Sequence, residues 1–238
     1  MAYTFKEKIA NKNNYGGQRN LSVIKYIVIH YTANDGDTDE GNGNYFKNNI
    51  VKASAHYFVD DDSITQSVPD NYVAWSVGGN KYSSCSTTGG GKFYGTVNNT
   101  NSISIEICDD VKNGVVYPSA QTIENALELT KMLMKDYNIP AERVIRHFDV
   151  VGKFCPAYWC GTAEKNKKWL TEFWNKLKEP KEEKTQTIQE LTTPNDIVWE
   201  LSQRIEITNV SKAVSDLTKA MNENSSCYWM LKKIANKR

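Results

Sequence analysis

The residues best suited to chemistry are few, and three of them follow one another closely. "RHFDVVGKFCP", residues 146–156, places Lys153 and Cys155 six and eight positions after His147, in a chain with only three histidines among 238 residues. His30 closes the apolar run "IKYIVIHY", and Glu106 sits inside "NSISIEICDD". Two imidazoles and a thiolate suit zinc, whose catalytic sites keep three protein ligands and leave a fourth position for water. Water at such a centre ionises near neutral pH, and an adjacent carboxylate can take its proton. Spacing alone leaves a plainer alternative open, in which Cys155 packs beside Pro156 and backbone groups satisfy the histidines. Cys160 would turn the trio into a closed four-ligand site, which would leave no water to activate.

Such residues need elements to hold them. Residues 24–31 combine β-branched and aromatic side chains, which predicts a buried strand ending near His30. In "NSISIEICDD" the alternation is strict: Ile103, Ile105 and Ile107 share one face, and Ser104, Glu106 and Cys108 the other. A carboxylate thus stands in mid-strand, facing away from the isoleucines. "AHYFVDDDSITQSV" predicts a hairpin turning at Asp61, Asp62 and Ser63. Residues 80–100, rich in Gly, Ser and Thr, predict a long loop of the kind that carries function. A helical stripe of Ile123, Ala126, Leu127, Thr130, Met134 and Tyr137 runs from Ser119 to Tyr137, and Asn138 and Pro140 end it. A second helix, about 163–177, carries Trp169, Phe173 and Trp174. The elements together predict an α/β fold, a central mixed sheet flanked by helices.

Composition narrows the function. A net charge of +1 gives no case for a nucleic-acid or membrane-surface partner. The first residues, "MAYTFKEKIANKNNYGGQ", hold no apolar signal core, and no run approaches a membrane span, so the expected location is the cytoplasm. Five cysteines at irregular spacing do not read as a disulfide framework. Cys85, Cys108, Cys160 and Cys227 read as free thiols. Residues 1–178 read as the main domain and the charged stretch 179–192 as a linker. Residues 193–238 read as a small three-helix module, marginal by itself, that either pairs with a second copy as a homodimer or docks on a polymer.

Five motifs in order carry a resemblance: "VIHYTA" at 28–33, "SAHYFVDDD" at 54–62, "AWSVGG" at 74–79, "NSISIEICDD" at 101–110 and "RHFDVVGKFCP" at 146–156. Together, over roughly residues 18–178, they resemble the zinc-dependent N-acetylmuramoyl-L-alanine amidases of the phage-lysozyme and peptidoglycan-recognition-protein superfamily. In style the chain is similar to endolysins of phages or prophages of low-GC Gram-positive bacteria. The resemblance implies one zinc ion per chain on His30, His147 and Cys155, with Glu106 as general base and Lys153 steadying the oxyanion. It implies peptidoglycan as the partner, cut between N-acetylmuramic acid and L-alanine after holin-dependent release from the producing cell. The alternatives are a cellular autolysin or spore-lysis amidase with the same chemistry, and a silent peptidoglycan-binding protein.

The chain departs from relatives at two positions. Ala55 stands where some carry a catalytic tyrosine, and Ser76 where others place a histidine in the substrate groove. His56, Trp75, Tyr31 and Tyr94 are the candidate substrate-binding residues, with a structural or ligand-orienting role the favoured one for His56. Asp149 either orients a ligand imidazole or pairs with Arg146.

Overall fold

The β-branched and alternating runs become the middle of a sheet. The computed structural model describes residues 4–179. Its strands are β1 (Thr4–Glu7), β2 (Tyr15–Gln18), β3 (Tyr26–Tyr31), β4 (Tyr57–Val59), β5 (Ser63–Gln66), β6 (Tyr72–Ala74), β7 (Ser102–Ile107) and β8 (Val144–Arg146). Its helices are α1 (Asp39–Asn48), α2 (Cys85–Thr88), α3 (Ala120–Asp136), α4 (His147–Val151) and α5 (Ala163–Lys168). Six strands form one sheet in the order β1-β5-β4-β7-β3-β8, while β2 and β6 form a small antiparallel pair. Within the large sheet only the β4–β5 hairpin is antiparallel. This is the expected α/β architecture with a mixed sheet. The three-helix module expected at 193–238, the linker at 179–192 beyond Glu179, and Cys227 lie outside the described residues.

One face of the central strands β3, β4 and β7 is apolar. Ile27 and Ile29 of β3, Val59 of β4 and Ile103, Ile105 and Ile107 of β7 are buried there against α3, which contributes Ala126, Leu127, Leu129 and Leu133. The α3 helix starts where Ser119 Oγ accepts the Thr122 N–H at 3.1 Å. Its expected stripe is inward, with Met134 and Tyr137 only partly buried. Beyond the sheet, Trp159, Trp169 and Phe173 form an aromatic cluster with centroid distances of 5.2–5.5 Å. The expected single helix at 163–177 is three segments: α5, a π-helical turn over Trp169–Trp174 and a 3-10 turn over Asn175–Lys178. Pairing i with i+5 brings Phe173 and Trp174 round to the same side as Trp169, and all three pack on the core.

The hairpin turns where expected. Asp60 Oδ1 accepts the N–H groups of Asp62 and Ser63, and Asp60 Oδ2 accepts the N–H of Asp39, tying α1 to the turn. The Asp39, Asp60 and Asp62 carboxylates converge there, but Ser63 and Thr65 hydroxyls already hydrogen-bond them. Burial pushes Asp60 up to about 7. The α1 helix was not anticipated, because two glycines and four asparagines in 39–49 leave no apolar stripe. Its start was nevertheless marked by Thr38, whose Oγ1 accepts the Gly41 N–H, ahead of Asp39 and Glu40.

A buried polar knot ties the small pair to the large sheet. Arg19 donates from Nε to the Asp70 carbonyl and from Nη1 to those of Asn99, Thr100 and Ser102. Its Nη2 lies 2.8 Å from Nε2 of His56, whose Nδ1 is 3.1 Å from Ser104 Oγ. His56 is 1% exposed, and burial followed by the Arg19 charge lowers it from 6.5 to about 3. Below about pH 6.5 the unfolded chain takes up a proton that the folded chain refuses, so this site's stabilisation is lost as pH falls, at about 1.4 kcal/mol per pH unit. The gap in unfolding free energy between the native protein and His56→Gln should shrink at about that slope between roughly pH 6 and 4. Denaturant titrations at several pH values check it, and a constant gap would show that the ring is not held neutral.

Candidate metal centre

Three elements bring the candidate ligands together. Parallel pairing of β3 with β7 sets His30 opposite Glu106, so both side chains leave the face away from the isoleucines. The β8 strand pairs with β3 on its other side as far as Arg146, opposite Ile29, and the chain then turns into α4 with His147 as its first residue. Gly152 ends α4 at φ +87. A Cβ there would stand 2.2 Å from Cys85 Sγ, so only glycine lets the chain double back towards Cys155.

The ligand atoms of His30, His147 and Cys155 all lie within 4.8 Å of one another. Cys155 Sγ is 3.7 Å from His30 Nδ1, and the two imidazole centroids are 4.6 Å apart. A tetrahedral zinc with bonds of about 2.3 Å to sulfur and about 2.0 Å to nitrogen would hold such atoms about 3.6 Å apart. Both ring nitrogens of His147, Nε2 of His30 and Oε2 of Glu106 are buried with no hydrogen-bond partner. Bare buried polar atoms cost about 1–3 kcal/mol each, a cost that coordination would offset. The donor set fits zinc.

The electrostatics favour ligation. Burial and then the Lys153 charge lower His147 to about 4, and burial with the His147 and Lys153 charges lowers His30 well below its usual value. Both imidazoles are therefore neutral, the form a metal needs. Glu106 is pushed up to about 8 by burial, which the Lys153 charge only partly opposes. Its Oε1 lies 3.8 Å from His30 Nδ1. Burial holds the Cys155 thiol up; a bound cation reverses that preference.

A bidentate pair supports His147 from behind. Asp149 accepts from Arg146 Nε at 2.9 Å and Nη2 at 2.8 Å, and also from the Arg146 N–H at 2.8 Å. Arg146 Nη1 reaches the Trp159 carbonyl and Asn166 Oδ1. Of the two expectations for Asp149, pairing with Arg146 is the one observed. Cys160 donates to the Pro156 carbonyl and stands outside the ligand group. Cys85, Cys108, Cys155 and Cys160 are all free and buried.

A cavity of about 650 Å³ opens beside the centre, lined by His147, Lys153, Trp75, Lys52, Lys81 and Tyr82 among others. Trp75 is thus on the cavity wall. Tyr31 and Tyr94 are not among its lining residues: Tyr31 packs edge-on against Tyr158, and Tyr94 is an exposed residue of the 80–100 loop. His56, one of the candidate substrate-binding residues from the sequence, is enclosed by Arg19 and Ser104 and is not among the cavity's lining residues. Lys52, Lys81 and Tyr82 were not anticipated, since nothing local marks a loop lysine as facing a cleft.

Residues 20–159 match the N-acetylmuramoyl-L-alanine amidase family. The chain belongs to that family. His30, Glu106, His147, Lys153 and Cys155 all fall within the span matched to these amidases. One relative, the N-acetylmuramoyl-L-alanine amidase CwlL of Bacillus licheniformis, is 33% identical over 162 residues, which is 66% of this chain and 41% of the relative. The chain therefore spans about two fifths of that relative's length. The amidase fold is shared with PlyL, at a TM-score of 0.56 and 30% identity over 74% of this chain and 98% of PlyL. A mutant endolysin from Bacillus subtilis gives 0.55 and 29%, over 74% of this chain and 99% of its own.

Removing Asp149 tests the support. Asp149→Ala leaves a buried guanidinium without its partner and should cost about 3–5 kcal/mol of stability. Urea unfolding measures it, and a loss below about 1 kcal/mol, the worth of a surface pair, would show that the pair does not brace the turn into His147.

Proposed function

We propose that the protein is a zinc peptidoglycan hydrolase that cleaves the amide between N-acetylmuramic acid and L-alanine. One observation carries the reading. A buried His-His-Cys group lies beside Glu106, in register on the neighbouring strand and with an unpartnered oxygen, next to a cavity large enough for a substrate segment. His30, His147 and Cys155 would hold one zinc ion. Zinc in that position supplies a Lewis acid that lowers the pKa of water and polarises a carbonyl.

The remaining work falls to side chains. Burial raises Glu106, and a cation bound beside it would favour the carboxylate; that carboxylate takes the proton from the attacking water and returns it to the alanine nitrogen as the carbon–nitrogen bond breaks. Lys153 lines the cavity beside His147 and its ammonium offsets negative charge on the lactyl carbonyl oxygen as the tetrahedral carbon forms. Ala55 is buried and supplies no acid, so Glu106 serves without the tyrosine found in some relatives.

Host-cell lysis as an endolysin is the biological setting we favour, because this fold is shared with PlyL and a Bacillus subtilis endolysin at 29–30% identity. Residues 193–238 would then hold the enzyme on the wall, raising its effective concentration. Among the described residues no helix is long and apolar enough to cross a membrane.

Mass spectrometry of purified cell wall after digestion tests the bond assignment: products should be glycan free of peptide and peptides with free N-terminal L-alanine. Glu106→Gln should keep its zinc and lose turnover about 10²–10⁴-fold. Near-native turnover by that variant would remove Glu106 as the base.

A further inference from the structure

The cavity beside the metal centre has a charge pattern that the hydrolytic step does not require. Lys52, Lys81 and Lys153 line it together, and no aspartate or glutamate is among its lining residues. None of the three takes part in an ion pair found among the described residues. The whole chain is close to neutral, with 29 basic and 28 acidic residues, so this local excess is not a by-product of general basicity.

Two of these lysines are held in place by the fold. Lys52 sits in the left-handed region at φ +57, which is unfavourable for a residue with a side chain. The fully buried Asn14 keeps it there. Asn14 Oδ1 accepts the N–H groups of Val51 and Lys52 at 2.8 and 3.1 Å, while Nδ2 donates to the carbonyls of Phe46 and Asn49. The Lys81 stem lies across Gly91, where a Cβ would come 2.7 Å from Lys81 Cε. Trp75 and Tyr82 add apolar wall.

We propose that Lys52 and Lys81 clamp carboxylates of the stem peptide, making this enzyme selective for acidic over amidated peptidoglycan. The inference rests on the amidase reading, which places a peptide in the cavity. Ammonium groups lining a concave surface free of carboxylates focus positive potential into it, and charged partners there set specificity more than total affinity. Lys153 belongs to the reaction itself; Lys52 and Lys81 have no part in it.

The test uses the zinc-loaded full chain carrying Glu106→Gln, so that ligand is not consumed. The probes are an N-acetylmuramoyl-tripeptide with free carboxylates and the same compound with its carboxylates converted to carboxamides. By calorimetry the acid form should bind about tenfold more tightly, the effect of one or two solvent-screened charge pairs. Lys52→Asn with Lys81→Met should reduce that preference to about twofold or less and leave the carboxamide form's affinity where it was. Asparagine tolerates the left-handed backbone, and Lys81→Met alone should remove part of the preference should the double variant fail to fold. Equal affinity for the two probes, no binding of either, or full discrimination by the variants would overturn the clamp. With Glu106 intact, turnover separates the two claims. Cleavage without discrimination refutes the clamp alone, and discrimination without cleavage refutes the amidase reading alone.

Discussion

Parallel pairing of β3 with β7, in the register that places His30 opposite Glu106, is the constraint on which the rest of the site depends. A slip of one residue would exchange the two faces of a strand. It would carry His30 into the isoleucine core and an isoleucine into the cleft. The register is pinned from the opposite face, where Ile27, Ile29, Ile103, Ile105 and Ile107 pack against α3. The hydrophobic half of the sheet thereby decides where the polar half stands, although it touches no substrate. β8 completes the arrangement by ending beside Ile29, so that His147 begins α4 within reach of His30.

Burial then makes these groups useful. Water would solvate two imidazoles, a thiol and a carboxyl without distinguishing among them. Enclosed, both histidines are neutral and Glu106 holds its proton more tightly. Both ring nitrogens of His147, Nε2 of His30 and Oε2 of Glu106 lack protein partners, a cost that a packed core does not usually tolerate. Nearby polar groups are fully engaged: Arg146 has Asp149, Trp159 and Asn166, and Arg19 has four carbonyls and His56. Four unpaired atoms, on His30, His147 and Glu106, gather where a cation would sit.

Much of this was legible in the chain, for identifiable reasons. β3 and β7 could be read because β-branched runs and strict alternation are strong local signals, and the hairpin because Asp60 to Ser63 make their own turn. The α3 helix announced itself through Ser119 and an apolar stripe. His30, Glu106, His147 and Cys155 were nominated through motifs, and the fold brings them to one place. Edge strand β1 left no such trace, being four residues of mostly exposed side chain. α1 lacks a stripe. The surroundings of His56 could not be read, because Arg19 lies 37 positions away and nothing local reports that contact. Lys52 and Lys81 were hidden for the same reason: they meet Lys153 only after the segment between α1 and β4, the 80–100 loop and the turn after α4 have packed together.

The central claim is that His30, His147 and Cys155 form one metal centre, and cobalt substitution tests it most directly. Co²⁺ added to metal-free protein should bind at one equivalent per chain, with the intense d–d bands of a tetrahedral site and a thiolate-to-cobalt charge-transfer band. Cys155→Ser should abolish the charge-transfer band while the Cys160→Ser spectrum stays as in the native protein. Absence of stoichiometric binding, an octahedral spectrum, or a charge-transfer band that survives loss of Cys155 would contradict the account.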